Sequence, residues 1–206
     1  MNLEIEATFV DIDKTKLRAK LKSLGAKLIQ PEILMRRIVF GISHTSFARV
    51  RDEGNRITLT YKNHFSQDIT GTEEINVEVS NYEDTISILK ACGLKIKSEE
   101  DTYREEWLLN NVEIDIDTWP WIPSYVEIEG KTTQDVESTA NLLDFNMQDA
   151  IIGSVDEVYK LYYDVDNDVI NFQLPAIKFT DVPDILSQNL RQKPLAPATT
   201  IASPKS

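Results

Sequence analysis

The strongest constraint on this fold is a repeated alternation in which each polar strand face is close to uniform in charge. In "NLEIEATF", Glu4 and Glu6 share one face, with Leu3, Ile5, Ala7 and Phe9 opposite. Arg49 and Arg51 oppose Ala48 and Val50; Thr58, Thr60 and Lys62 oppose Ile57, Leu59 and Tyr61. Glu74, Asn76 and Glu78, then Asp115 with Asp117, then Glu127 with Glu129, repeat the pattern with acids. A flat sheet with one wet face would account for simple alternation. It does not account for like charges set two apart on one face, which repel each other. A closed barrel does: apolar faces turn outward under helices, and charged faces converge on a polar lumen able to hold one small ligand. Acid pairs facing basic pairs suit a divalent cation beside a polyphosphate. Carboxylates supply hard oxygen ligands, and Arg and Lys pair with phosphate oxygens.

The order of elements agrees. Asp13 is placed to cap a helix whose Leu17, Leu21, Leu24 and Leu28 fall near helical spacing, with Gly25 as its stop. "ILMRRIVFGI" reads as a strand, and "SFARVRD" and "RITLTYK" form a hairpin across "EGN". "HFSQDITGT" is a polar loop and "EEINVEVS" a strand. Asn81 caps a short helix bearing Ile86 and Leu89. "DTYREEWLL" and "VEIDIDTW" pair across "NN", and "WPWIPS" leads into "YVEIEG". A helix opens at Thr133, and Ser154 with Glu157 has the spacing of a capping box for a last helix through Tyr162. The expected fold is therefore α+β: an eight-stranded antiparallel closed β-barrel with helices packed outside. It would span residues 1–165, followed by an extra strand in "VINFQLPAIKF" and a flexible Pro/Ala/Ser/Thr-rich tail to residue 206 that is free to engage a protein partner.

Bulk properties narrow the function. A net charge of −12 argues against duplex nucleic acid and anionic membrane as partners. No apolar run reaches membrane-spanning length and no basic-then-apolar leader pattern opens the chain. One cysteine, Cys92, excludes an internal disulfide framework and points to a cytoplasmic location. Cys92 reads as a small core residue, and His44 and His64 as surface positions in polar segments. Trp119 and Trp121 read as anchors of a proline-rich corner or as platforms for a flat ring at the tunnel mouth. In the acidic run "SEEDTYREE", otherwise read as a solvated edge, Arg104 is retained, with Glu106 as its partner.

Several of these pieces resemble the CYTH superfamily, the triphosphate tunnel metalloenzymes. "EIEATF" is similar to that family's E-x-E-x-K opening strand, and "FARVRDEGNRITLTYK" to its R-x-R hairpin. "EEINVEV", "YREEW", "VEIDIDTWPWIPSYVEIEG" and "SVDEVYKLYYD" follow in the family's order. The resemblance covers roughly residues 1–165 and implies Mg²⁺ or Mn²⁺ as cofactor and a small triphosphate or nucleotide as ligand, with a homodimer allowed. It assigns Glu4, Glu6, Glu127 and Glu129 to metal binding, and among them Glu4, Glu6 and Glu129 to catalysis. Arg37, Arg49, Arg51, Lys62 and Arg104 fall on phosphate-binding positions, and Asp117 and Glu78 on acidic tunnel positions. Strand parity alone does not separate Arg37 from Arg36. The implied activity is that of a metal-dependent triphosphatase, a phosphoric anhydride hydrolase, with inorganic triphosphate as the simplest substrate and thiamine or nucleoside triphosphates as others. The alternatives are cyclisation of ATP to cyclic AMP and binding of a nucleotide or polyphosphate without turnover. Thr8 stands where the family motif has Lys, and Thr72, Asn76 and Thr102 replace other charged positions.

Overall fold

A computed structural model describes residues 2–66 and 68–195. The chain runs β1 (Asn2–Phe9), α1 (Lys14–Ser23), β2 (Lys27–Gly41), β3 (Ser46–Asp52), β4 (Ile57–His64), β5 (Thr72–Val79) and α2 (Tyr82–Ala91). It continues with β6 (Lys95–Leu109), β7 (Val112–Thr118), β8 (Tyr125–Gly130), α3 (Thr133–Leu142), α4 (Val155–Tyr162), β9 (Ala176–Ile177) and α5 (Asp184–Ser187). Hydrogen bonding passes through β2-β3-β4-β5-β1-β8-β7-β6 and returns to β2, so eight antiparallel strands close into a barrel. Closure leaves no unpaired edge around the ring. The two-residue β9 adds in parallel to β6 at Glu99 and Glu100.

The alternation decides which face is which. Ile5, Ala7 and Phe9 of β1, Ile114 and Ile116 of β7, and Val126 and Ile128 of β8 pack outward against Leu17 and Leu21 of α1 and Val136 and Ala140 of α3. Phe40, Ala48 and Val50 pack under Ile86 of α2. The core thus lies outside the barrel wall, and the lumen is left to polar groups. A third cluster joins Trp119, Tyr125, Val158 and Tyr159 to Ile170, Leu174, Ile177 and Leu186 of the C-terminal segment.

Local signals explain most boundaries. Asp13 accepts hydrogen bonds from the backbone of Thr15 and Lys16, and Asn81 accepts one from Asp84. Gly25 (φ +78°) ends α1, so Leu28 belongs to β2 and not to the helix. Pro31 cannot donate to the ladder, and the β2–β6 register shifts on both sides of Gln30 where the strand crosses it. Asn110 and Asn111, with φ of 52° and 65°, supply the tight turn between β6 and β7.

Other expectations are corrected. Cys92 is exposed: it caps α2, six residues and some 240° around the helix from Ile86. The Ser154 side chain makes no cap hydrogen bond and instead donates to Asp156. "VINFQLPAIKF" does contain an added strand, but only the two residues of β9, after a five-residue π-helix, Val169–Gln173. In the stretch read as a tail, Arg191 and Leu195 donate backbone hydrogen bonds to Tyr162 and Leu161. The rest of that stretch, 196–206, lies outside the described residues.

Candidate functional site

Strand parity turns the charged faces onto one cavity of about 730 Å³. Glu4, Glu6, Arg37, Arg49, Arg51, Lys62, Arg104, Asp117, Glu127 and Glu129 all line it. Arg37 is the lumenal one of its pair. Arg36 points outward, pairing with Asp52 at 2.8 Å and lying over the Tyr82 ring. Glu78 does not join the site: it shares parity with Glu74 but is exposed near the end of β5 and does not line the cavity.

One wall is basic. Arg37 and Arg51 face each other across β2 and β3, and Arg49 stands one pleat away. Arg51 pairs with buried Glu53 at 2.6 Å, and Glu53 also accepts from Arg56 and Thr58. Arg37 and Arg49 have no such partner. Arg37 donates to Thr102 Oγ1 at 2.5 Å and lies 4.9 Å over the Trp119 ring, while Arg49 reaches Thr60 Oγ1 at 3.3 Å. Among the described residues neither makes an ion pair, and the Nε of each is buried without a hydrogen-bond partner. Burial, then the neighbouring Arg51, pulls Arg37 down to about 10. Burial, Arg51 and Arg37 likewise pull Arg49 well below the usual guanidinium range.

The opposite wall is acidic. Glu6 and Glu129 are direct partners across β1 and β8, and carboxylate oxygens of Glu4, Glu6 and Glu129 lie within 4.8 Å of one another. Burial, then Glu4, raises Glu6 well above the carboxylate range. Glu129 opens to the tunnel's solvent, but the crowding protein around it, followed by Glu4 and Glu113, lifts it to about 7. Burial works against ionised Glu4 as well, but there Lys62 outweighs it and holds the carboxyl below its ordinary value. Glu4 Oε2 is buried and has no hydrogen-bond partner among the described residues. Three converging hard oxygen donors with an unmet buried oxygen fit Mg²⁺ or Mn²⁺.

Lys62 and Arg104 join the two walls. Lys62 bridges Glu4 and, at 3.2 Å, Glu74. Arg104 is held by Asp115, by Asp117 at 2.5 Å and by Glu127 at 2.6 Å. Glu127, assigned to metal by the resemblance, is therefore engaged by Arg104 and stands outside the Glu4–Glu6–Glu129 group. Glu106 lies 3.9 Å from Arg56 and groups with Glu113 and Asp115, so Arg104 is not its ion-pair partner.

Several lining residues escaped the sequence reading. Glu100 and Ser98 share the parity of Arg104, so alternation was the available signal; Glu74, already on a lumenal face by alternation, lines the cavity beside Asn76. Lys97 had none: the β2–β6 register skips it between Ser98 and Ile96, and such a bulge leaves no mark in composition. His64, read as a surface position, ends β4 in the cavity wall with Nδ1 2.8 Å from Thr72 Oγ1. Arg56 comes from the β3–β4 turn, where strand parity no longer applies, and from the same turn buried Glu53 braces Arg51 without lining the cavity itself. Thr8 is buried and exchanges two backbone hydrogen bonds with Ile151, at 3.0 and 2.9 Å.

A family model described as CYTH domain matches residues 2–162. No curated protein matches the sequence. Among solved structures, a conserved hypothetical protein from Pyrococcus furiosus aligns with TM-score 0.63 at 19% identity, covering 71% of this chain and 94% of that one. The PH1012 protein of Pyrococcus horikoshii aligns with TM-score 0.63 at 22% identity, covering 72% and 94%. A candidate adenylate cyclase from Vibrio parahaemolyticus aligns with TM-score 0.66 at 10% identity, covering 77% and 98%. At these identities the likeness is one of fold.

Proposed function

The chain belongs to the CYTH domain family, and we propose that its tunnel takes the phosphate chain of a small triphosphate beside a divalent cation and hydrolyses a terminal anhydride bond. The observation that carries this reading is the pair Arg37 and Arg49: one buried and one half-buried guanidinium, each with a buried Nε and neither with a carboxylate partner among the described residues, facing a lumen whose far wall gathers Glu4, Glu6 and Glu129. An unpaired buried charge is costly, and a phosphate chain would relieve it. Arg37 and Arg49 bind phosphate oxygens, and Arg51 does so with its guanidinium oriented by Glu53. Lys62 stands between the walls, where it meets both the anion and Glu4. Arg104, clamped by three carboxylates, shapes the lumen more than it offers free charge. Mg²⁺ or Mn²⁺ held by Glu4, Glu6 and Glu129 supplies charge neutralisation and Lewis acidity when bound. Phosphoryl transfer asks little else of a protein than positioning and charge stabilisation.

The test is phosphate release with Mg²⁺ or Mn²⁺ from inorganic triphosphate, thiamine triphosphate and ATP. Release is expected from at least one, and turnover of none above a Glu4→Ala/Glu6→Ala double variant overturns the reading. Cyclic AMP from ATP, in place of free phosphate, would move the assignment to a cyclase using the same tunnel. Thr8 favours a second reading, a binding module. Where the family motif carries a Lys, this chain has a buried Thr tied by its backbone to Ile151, so the lumen holds one cation fewer. Tight, metal-dependent binding without product, with turnover appearing in Thr8→Lys, would support it.

A further inference from the structure

We infer that residues 165–177, beyond the part of the chain matched by the family, build a head-group subsite at one mouth of the tunnel. This subsite selects triphosphate esters whose head group carries N–H donors over bare inorganic triphosphate. The inference rests on the phosphate-tunnel reading above.

The segment is seated, not passing by. Ile170, Leu174 and Ile177 are buried in one cluster with Trp119 and Tyr159. The Glu99 amide donates to the Pro175 carbonyl at 2.9 Å, and β9 pairs with Glu99 and Glu100 of the barrel. From this position Asn167, Asp168 and Asn171 line the same cavity as Arg49. Asn171 is fixed from both sides, accepting from Lys97 at 2.7 Å and donating to Asp156 at 3.2 Å.

The chemistry here differs from that of the phosphate wall. Asn167 Nδ2 donates to Glu157 Oε1 at 3.0 Å. Only the amide nitrogen can donate to a carboxylate, so Asn167 Oδ1 is fixed as an acceptor, and it is buried without a hydrogen-bond partner. Trp119 Nε1, a donor only, and His64 Nε2 are also buried without one among the described residues. Inorganic triphosphate offers acceptors and negative charge. It cannot satisfy Asn167 Oδ1, and Asp156, Glu157 and Asp168, which also line the cavity, repel it. A head group with an amino donor and a ring-nitrogen acceptor, as in aminopurines and aminopyrimidines, carries the donor that Asn167 Oδ1 lacks and the acceptor that Trp119 Nε1 lacks in this cavity. Recognition runs along the ring's edge, because Arg37 already lies over a face of Trp119.

The experiment is calorimetry on the Mg²⁺-loaded full chain with inorganic tripolyphosphate, ATP (an aminopurine head) and thiamine triphosphate (an aminopyrimidine head). It is repeated on Asn167→Leu and Trp119→Phe. At least one ester is expected to bind about tenfold or more tighter than tripolyphosphate, and each variant to cut that ratio by roughly five- to tenfold, as loss of one buried hydrogen bond does. Tripolyphosphate binding as tightly as both esters overturns the inference and leaves the tunnel reading standing. So does an ester preference that both variants leave intact, or an equal fall for every ligand, which marks a structural role. Binding of none of the three overturns the tunnel reading itself.

Discussion

The basic and acidic walls of the tunnel store like charge in different ways. Glu6 and Glu129 face each other across β1 and β8, as Arg37 and Arg51 do across β2 and β3. The acids have an escape. With Glu129 lifted to about 7 and Glu6 higher than its ordinary value, the wall sheds repulsion by keeping protons. Guanidinium groups have almost none, because even about 10 for Arg37 leaves it charged at neutral pH. The acidic wall can stand alone by neutralising itself, whereas the basic wall stays charged and waits for an anion. That asymmetry makes Arg37 and Arg49, more than the glutamates, the sign of a bound phosphate chain.

The contrast can be broken at several points. The largest effect is expected from Arg104→Met. It strips the counter-charge from Asp115, Asp117 and Glu127 at once and should destabilise the protein by about 3–5 kcal/mol in chemical denaturation. A loss below 1 kcal/mol would mean that these acids also neutralise themselves. Arg49→Met should act the other way on stability. It removes a half-buried, repelled cation and should raise Tm without ligand, while triphosphate binding weakens by about 1.5–3 kcal/mol in calorimetry. A fall in Tm would show that Arg49 is structurally paired. On the acidic side, saturating Mg²⁺ at about a hundred times its Kd should stabilise by roughly 2.7 kcal/mol, and the shift should vanish in Glu4→Ala/Glu6→Ala.

The smallest test concerns Glu53. Burial opposes its charge, but Arg51, Thr58 and Arg56 overcome that and hold its carboxyl at about 2. A depressed carboxyl stabilises the fold above the unfolded value near 4.5, and that stability drains as pH falls towards 2. Thermal melts at pH 6 and pH 3 should therefore lose less between the two in Glu53→Gln than in the wild type.

How far the sequence could be read follows from its period. Where a strand holds strict alternation, as at Glu4 and Glu6 or Asp115 and Asp117, each side chain's face is fixed by parity, and parity plus charge was enough to argue for a lumen. Reading stopped where the period broke. The skipped Lys97 joined the cavity wall at a bulge, and Arg56 entered it from a turn. Cys92 was misplaced because helical phase, not nearness to Ile86, decides burial. Parity also could not say how far along the tunnel a residue sits, so Glu78 fell on the right face and outside the site.

The amino-acid sequence by itself determined that the chain makes a barrel with charges inside, because no other arrangement gives so many single-sign strand faces a common destination. Only the tertiary structure decided which charges are already satisfied. Lys62, Arg51 and Arg104 found carboxylates, Arg37 and Arg49 did not, and Glu127 was drawn away from the other glutamates by Arg104. The Lys62–Glu4 pair joins β4 to β1 and the Arg104–Glu127 pair joins β6 to β8, so both depend on the closed barrel bringing distant strands together, which no local stretch of the chain encodes.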